Sequence, residues 1–150
     1  MEQNSFKIKS MRDVTQEAIS YIAGRREHNI VSLKTRWNKF NKQCMGGIEP
    51  NTVYTIAGIS GSGKSSIVNS IQVDLIDLNP SEEIIILCFS LEMVGFRQVG
   101  RVLSNRLRKT TSTLYSAETD LDDKTFKEVI YVSNQLKEYP IYFVDNPGTP

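Results

Sequence analysis

A chain of 150 residues, 39% of them hydrophobic and 23% charged, carries enough apolar material for one soluble domain with a core of its own. The net charge of +1 argues against a general nucleic-acid or membrane-surface binder, so any such binding has to come from local patches. The two cysteines, Cys44 and Cys88, lie far apart with no CxxC and no neighbouring histidine. That pattern fits small core fillers in a reducing, cytoplasmic setting rather than a disulfide frame or a metal site.

The opening MEQNSFKIKSMRD lacks the apolar centre of a signal peptide, and no apolar stretch approaches the length of a membrane span. The first ten residues are polar and are expected to be loose. A helix is expected from Ser10, where Asp13 three residues on completes a capping pair and Val14, Ala18, Tyr21 and Ile22 recur as one stripe. It should end near Gly24 and the following RREHN, with the lone His28 as an exposed helix-end residue. Because this helix stands apart from the pattern that follows, residues 1–30 read as a tail and linker-type helix. Its apolar stripe packs either on its own domain or on another surface or subunit.

Residues 31–150 read as the second unit. SLKTRWNKFNKQCMGGIEPN holds a short helical segment with Trp37 and Phe40, then turn signals at Gly46-Gly47 and Glu49-Pro50-Asn51. Alternation then sets in. VYTIAG reads as a short buried strand, and KSSIVNSIQVDLIDLN as a helix with Ile67, Val68, Ile71, Leu75 and Leu78 on one side. EIIILCFS is a continuous apolar strand, GFRQVGRVLSNRLRK and DDKTFKEVIYVSNQLKE are helices, and IYFVD is a third strand. Strands apolar on both faces and alternating with helices predict an α/β fold, a parallel sheet covered on both sides.

Between the first strand and its helix lies Gly58-Ile59-Ser60-Gly61-Ser62-Gly63-Lys64-Ser65, which fits G-x-x-x-x-G-K-S/T at every fixed position. A side chain at Gly61 or Gly63 would obstruct phosphates or force a strained φ, and glycine leaves the backbone N–H groups free to point inward. The helix N-terminus adds partial positive charge, Lys64 reaches the β and γ phosphates, and the Ser65 hydroxyl is a magnesium ligand. The strand before and the helix after supply the context this fingerprint needs. A nucleotide and Mg2+ are therefore the expected ligands, the nucleotide being ATP by the resemblance described below, with Gly58, Ser60, Gly61, Ser62, Gly63, Lys64, Ser65 and Ser66 as binding residues.

A phosphate cradle does not hydrolyse anything unaided; water has to be oriented, magnesium held and developing charge neutralised. Glu92 follows the strand at 84–90, on the edge where open α/β sheets place ligands, and is a candidate general base. On pattern alone a lone exposed glutamate opening a helix is more often a first-turn charge favoured by the helix dipole. In the next helix Val99, Val102, Leu103 and Leu107 form one face at about 100° per residue, with Arg97, Arg101 and Arg108 nearly opposite and Arg106 near the apolar side. The arginine side reads as a solvated face, or as a subunit or DNA-backbone contact.

The run Phe89-Ser90-Leu91-Glu92-Met93 after a phosphate loop, Arg101 nine residues beyond Glu92, and LDDKTFKEV followed by IYFVDNPG together resemble the RecA-type motor domain of DnaB-family replicative DNA helicases. TRWNKFNKQCMGGIEPNTVYTIAG is similar to that family's lead-in, and the resemblance covers about residues 32–150. It implies a RecA-like core, incomplete in this chain, in a protein that unwinds duplex DNA by ATP-driven translocation on single-stranded DNA as a hexameric ring, with replication proteins as partners. It implies Glu92 and Lys64 as catalytic residues. It places the helix near residues 11–26 where the family has a linker helix that docks on the neighbouring subunit.

The loop GISGSGKS departs from the family in lacking the Arg-Pro and Met common in bacterial members. Asp145, at the end of IYFVD, imitates a Walker B aspartate, yet in the family this strand precedes the one that carries the metal. The resemblance therefore implies that the magnesium-holding aspartate, the DNA loops and the arginine finger lie outside residues 1–150. It also implies that the chain by itself is inactive and self-associating through uncovered apolar surface. A RecA- or KaiC-like ATPase and a nucleotide-binding module without turnover are the alternative readings.

Overall fold

The computed structural model describes residues 7–90 and 93–145. Helix α1, Met11–Arg26, begins on the expected capping box: Ser10 Oγ accepts from Asp13 N at 3.2 Å, and Asp13 accepts from Ser10 N at 3.1 Å. No residue of α1 is buried, and Val14, Ile19, Tyr21 and Ile22 are exposed. Only its last turns are tied down. Tyr21 Oη donates to Glu49, and Arg25 donates to Ser32 Oγ at 2.8 Å and to the Met45 carbonyl.

The lead-in folds back on itself through an antiparallel bridge, Leu33 to Ile48, with both backbone bonds at 2.8 Å, and carries the short helix α2, Asn38–Gln43. It is then sewn to helix α3, Lys64–Asp77. Lys34 N donates to Asn79 Oδ1 at 2.8 Å, and Arg36 grips Asp74 with its backbone N, Nε and Nη2 at 2.7–3.0 Å.

The expected strand over VYTIAG does not form. Residues 52–59 make no ladder, and Val53 is 91% exposed. A strand needs a hydrogen-bonding neighbour, and among the described residues this segment has none. The parallel pair is instead β1, Ile86–Ser90, with β2, Ile141–Asp145, in the register Ile86 to Ile141 through Ser90 to Asp145. The sheet is also not covered on both sides. Ile86, Cys88, Ser90, Ile141 and Phe143 are shielded, whereas Leu87, Phe89, Tyr142 and Val144 are exposed.

Helix α4, Gly95–Leu107, is the hub, packing on α3, α6, β2 and the short helix α5, Thr111–Tyr115, which the sequence pattern did not suggest. Helix α6, Asp123–Leu136, starts on the Asp122 cap, whose Oδ1 accepts from Thr125 N at 2.8 Å. The predicted stripe of α3 faces outward in part, with Ile67, Val68 and Leu78 exposed; the residues it buries are Asn69, Val73 and Asp74, turned toward α4 and Arg36. The reason is the unformed strand, since the layer that the stripe would cover is missing. Val73 is the only hydrophobic side chain buried among the described residues, and the accessible surface of 12284 Å² far exceeds the roughly 7,700 Å² of a compact 17.0 kDa monomer. Among the described residues no helix is long and apolar enough to cross a membrane.

Candidate functional site

The glycine loop turns into α3 through two left-handed residues, Gly61 at φ +77° and Gly63 at φ +89°, the latter serving as the helix N-cap. A Cβ at either position would touch no protein atom within 4 Å, so within the chain it is the φ, not crowding, that requires glycine. Helix α3 has no side-chain cap and no acidic residue in its first turn, which leaves its N–H groups and dipole directed at the loop. Lys64 Nζ bends back over the loop and donates to the Gly58 and Ile59 carbonyls, each at 2.8 Å.

Ser60, Gly61, Gly63, Lys64, Ser65 and Ser66 open onto one basin of about 930 Å³ between the loop, α3 and α4. Gly58 and Ser62 stand behind them as loop framework, close enough that a Cβ on Gly58 would meet Ser62 Oγ at 2.6 Å. The lining also includes five more basic residues, Arg36, Arg101, Arg106, Arg108 and Lys109, beside uncharged ones such as Asn69, Ser70, Val73 and Val102, and among the described residues no carboxylate lines the basin. Such a concentration of one sign focuses potential on an anionic ligand. Arg101 and Arg108 therefore do not belong to a merely solvated face; they face the same space as the phosphate loop.

Two ion pairs hold this wall. Asp74, only 3% exposed, takes Arg36, and its carboxylate raises the pKa of that guanidinium. Arg106, which the sequence placed near the apolar side, pairs with Asp77 at 2.5 Å and donates to Tyr139 Oη at 2.8 Å. Burial first, then the Asp77 contact, raises the Tyr139 hydroxyl pKa. Sequence reasoning missed Arg36, Asn69, Lys109 and Thr111. The one available signal was Asp74, a charge inside the apolar spacing of α3.

Glu92 lies outside the described residues; the flanking Ser90 and Met93 are bonded to Gln98 of α4. Gln98 Nε2 donates to Ser90 Oγ at 2.7 Å and to the Met93 carbonyl at 3.1 Å, and Ser90 Oγ donates to that same carbonyl. Asp145 accepts from Gly95 N through both carboxylate oxygens at 2.9 Å, so it caps α4 and does not line the basin.

A search of curated proteins finds no match. The sequence model of the DnaB-like helicase C-terminal domain matches residues 32–150, which leaves α1 outside the match and takes in the lead-in, the loop and both strands. The chain thus belongs to the DnaB-like helicase C-terminal domain family, whose RecA-like fold it builds in part.

Proposed function

We propose that this chain is the nucleotide-binding portion of a helicase motor that couples ATP hydrolysis to movement along single-stranded DNA. The observation that carries this reading is the basin: a glycine loop and an uncapped helix N-terminus open into a space lined by six basic residues and, among the described residues, no acidic one. Backbone N–H groups of 60–65 bind the phosphates, Lys64 exchanges its loop carbonyls for phosphate oxygens, and Ser65 would hold Mg2+. The bound metal supplies charge neutralisation on the phosphates. Glu92 takes the proton of the attacking water, and its described neighbours Ser90 and Met93 are bonded to Gln98. Assembly into a hexameric ring, DNA and the other replication proteins belong to this proposal as the family context in which the site works.

Binding without brisk turnover is the expected behaviour of the chain alone, and a nucleotide-binding module without turnover is the alternative reading. The test compares ATP binding and ATPase rate of the chain with Lys64→Ala and Glu92→Gln, with and without single-stranded DNA. Lys64→Ala should weaken ATP about tenfold or more, as expected for loss of a charge-assisted contact, whereas Glu92→Gln should leave binding intact. Unaltered ATP affinity in Lys64→Ala, or brisk turnover that Glu92→Gln does not slow, would overturn the assignment.

A further inference from the structure

The loop and the basic rim do not account for Asn69. It sits one turn into α3 beyond Ser66, lines the basin, and is only 4% exposed, yet its Nδ2 has no hydrogen-bond partner among the described residues. Buried amides without partners are rare, because the lost water contacts go uncompensated. The basin's lining also includes the apolar side chains of Val73, one turn further along α3, Val102 of α4 and Met93, beside the hydroxyls of Ser66 and Ser70. Asn69 thus brings an uncharged, unpartnered polar group to a basin that also holds basic side chains, and polar groups set among apolar ones are what orient a ligand.

We infer that Asn69 is a base-reading residue, which pairs with the adenine of the nucleotide whose phosphates lie on the glycine loop. The inference rests on the nucleotide-binding role proposed above and adds to it the part of the ligand that the loop cannot distinguish. The terminal torsion of an asparagine is broad and roughly two-fold, so a turn of the amide presents Nδ2 or Oδ1 to the basin. An amide offers one donor and one acceptor side by side. Adenine returns the complement along its N6/N7 edge, where the N6 amine donates to Oδ1 and N7 accepts from Nδ2, a pairing that asparagine makes in two bonds. On that edge hypoxanthine has an acceptor oxygen at position 6 beside the acceptor N7, so in either amide orientation one bond is lost and two acceptors are opposed.

Equilibrium binding of ATP, ITP and inorganic tripolyphosphate to the full chain tests this, with Asn69→Leu, Asn69→Asp and Lys64→Ala alongside and thermal melting as the check on folding. The wild-type chain should favour ATP over ITP by roughly 5- to 150-fold, the range of one good two-bond pair. Asn69→Leu, of similar size without polar atoms, should bring that ratio close to one and leave tripolyphosphate affinity unchanged. Asn69→Asp should also lose the preference and weaken all three ligands by adding an anion to a cationic basin. An ATP-to-ITP ratio unchanged in folded Asn69→Leu, or, where Asn69→Leu melts, unchanged in folded Asn69→Asp, rules out base reading while Lys64-dependent ATP binding stands. A wild-type chain that binds neither ATP nor tripolyphosphate overturns the nucleotide role and this inference with it.

Discussion

Asp145 and Gly95, fifty residues apart, meet where β2 ends and α4 begins, with both carboxylate oxygens 2.9 Å from the Gly95 backbone nitrogen. A carboxylate at a helix N-terminus satisfies an orphan N–H and meets the positive end of the dipole. The contact fixes the start of α4 against the end of β2. It also occupies the aspartate that looks most like a Walker B residue. Asp145→Ala should lower unfolding stability by about 1 kcal/mol, the usual value of a lost cap, as read by urea denaturation. Mg2+-dependent nucleotide affinity should not change; a large loss there would make Asp145 a metal residue after all.

Asp74 is a buried carboxylate whose only charged partner in hydrogen-bond contact among the described residues is Arg36. Removing the arginine strands that charge, and Arg36→Ala should cost about 2–4 kcal/mol even though the guanidinium is partly exposed. Replacing both members, Arg36→Met with Asp74→Leu, should be much milder than Arg36→Ala. If the double variant is as unstable as the single one, the pair is not what holds the lead-in to α3.

Arg108 ends α4 in the left-handed conformation at φ +52°, a place where glycine is favoured. Its side chain lines the basin. Arg108→Gly should therefore raise stability by up to about 1 kcal/mol while weakening ATP by about two- to fivefold, the modest value of an exposed charge. Melting temperature and affinity should move in opposite directions, and a change of both in the same direction would refute the assignment of Arg108 to both roles.

Asp122 caps α6, and its contacts with the Thr125 hydroxyl and backbone N–H hold its carboxyl below the ordinary Asp value of 3.8. A depressed folded pKa means that the cap's contribution is present above the unfolded value and fades as pH falls through the folded one. Amide exchange in the first turn of α6 should accelerate below about pH 4. Asp122→Asn, which caps without ionising, should remove most of that acid sensitivity. An unchanged acid profile in the variant would place the effect elsewhere.

Leu87, Phe89, Tyr142 and Val144 form an exposed apolar face on the parallel pair. Such a face favours association of the isolated chain. Light scattering should show species larger than a monomer at micromolar concentration, reduced in Leu87→Lys with Phe89→Lys. A monodisperse monomer in the wild type would discount this face as a cause of association.

Much of the site was legible because it is local. The Gly58–Ser65 loop, its two left-handed glycines and the cap at Ser10 are settled by a few neighbouring residues, and both strands of the pair follow from short apolar runs. What the pattern misjudged was long-range. VYTIAG has the composition of a buried strand, but a strand exists only by pairing, and its neighbour cannot be read from the segment. The stripe on α3 failed for the same reason, since an apolar face is buried only where another layer meets it.

The sequence by itself therefore determined the glycine loop, most of the helices, both strands of the parallel pair and the family, because each depends on residue type at fixed local spacing. Only the tertiary structure decided that Arg36, Arg101, Arg106, Arg108 and Lys109 share one space with Lys64, that Asn69 faces it as a buried amide without a described partner, and that Asp145 is a helix cap. Those are meetings between residues tens of positions apart, and it is packing, through the ion pairs of Asp74 and Asp77, that brings them within reach.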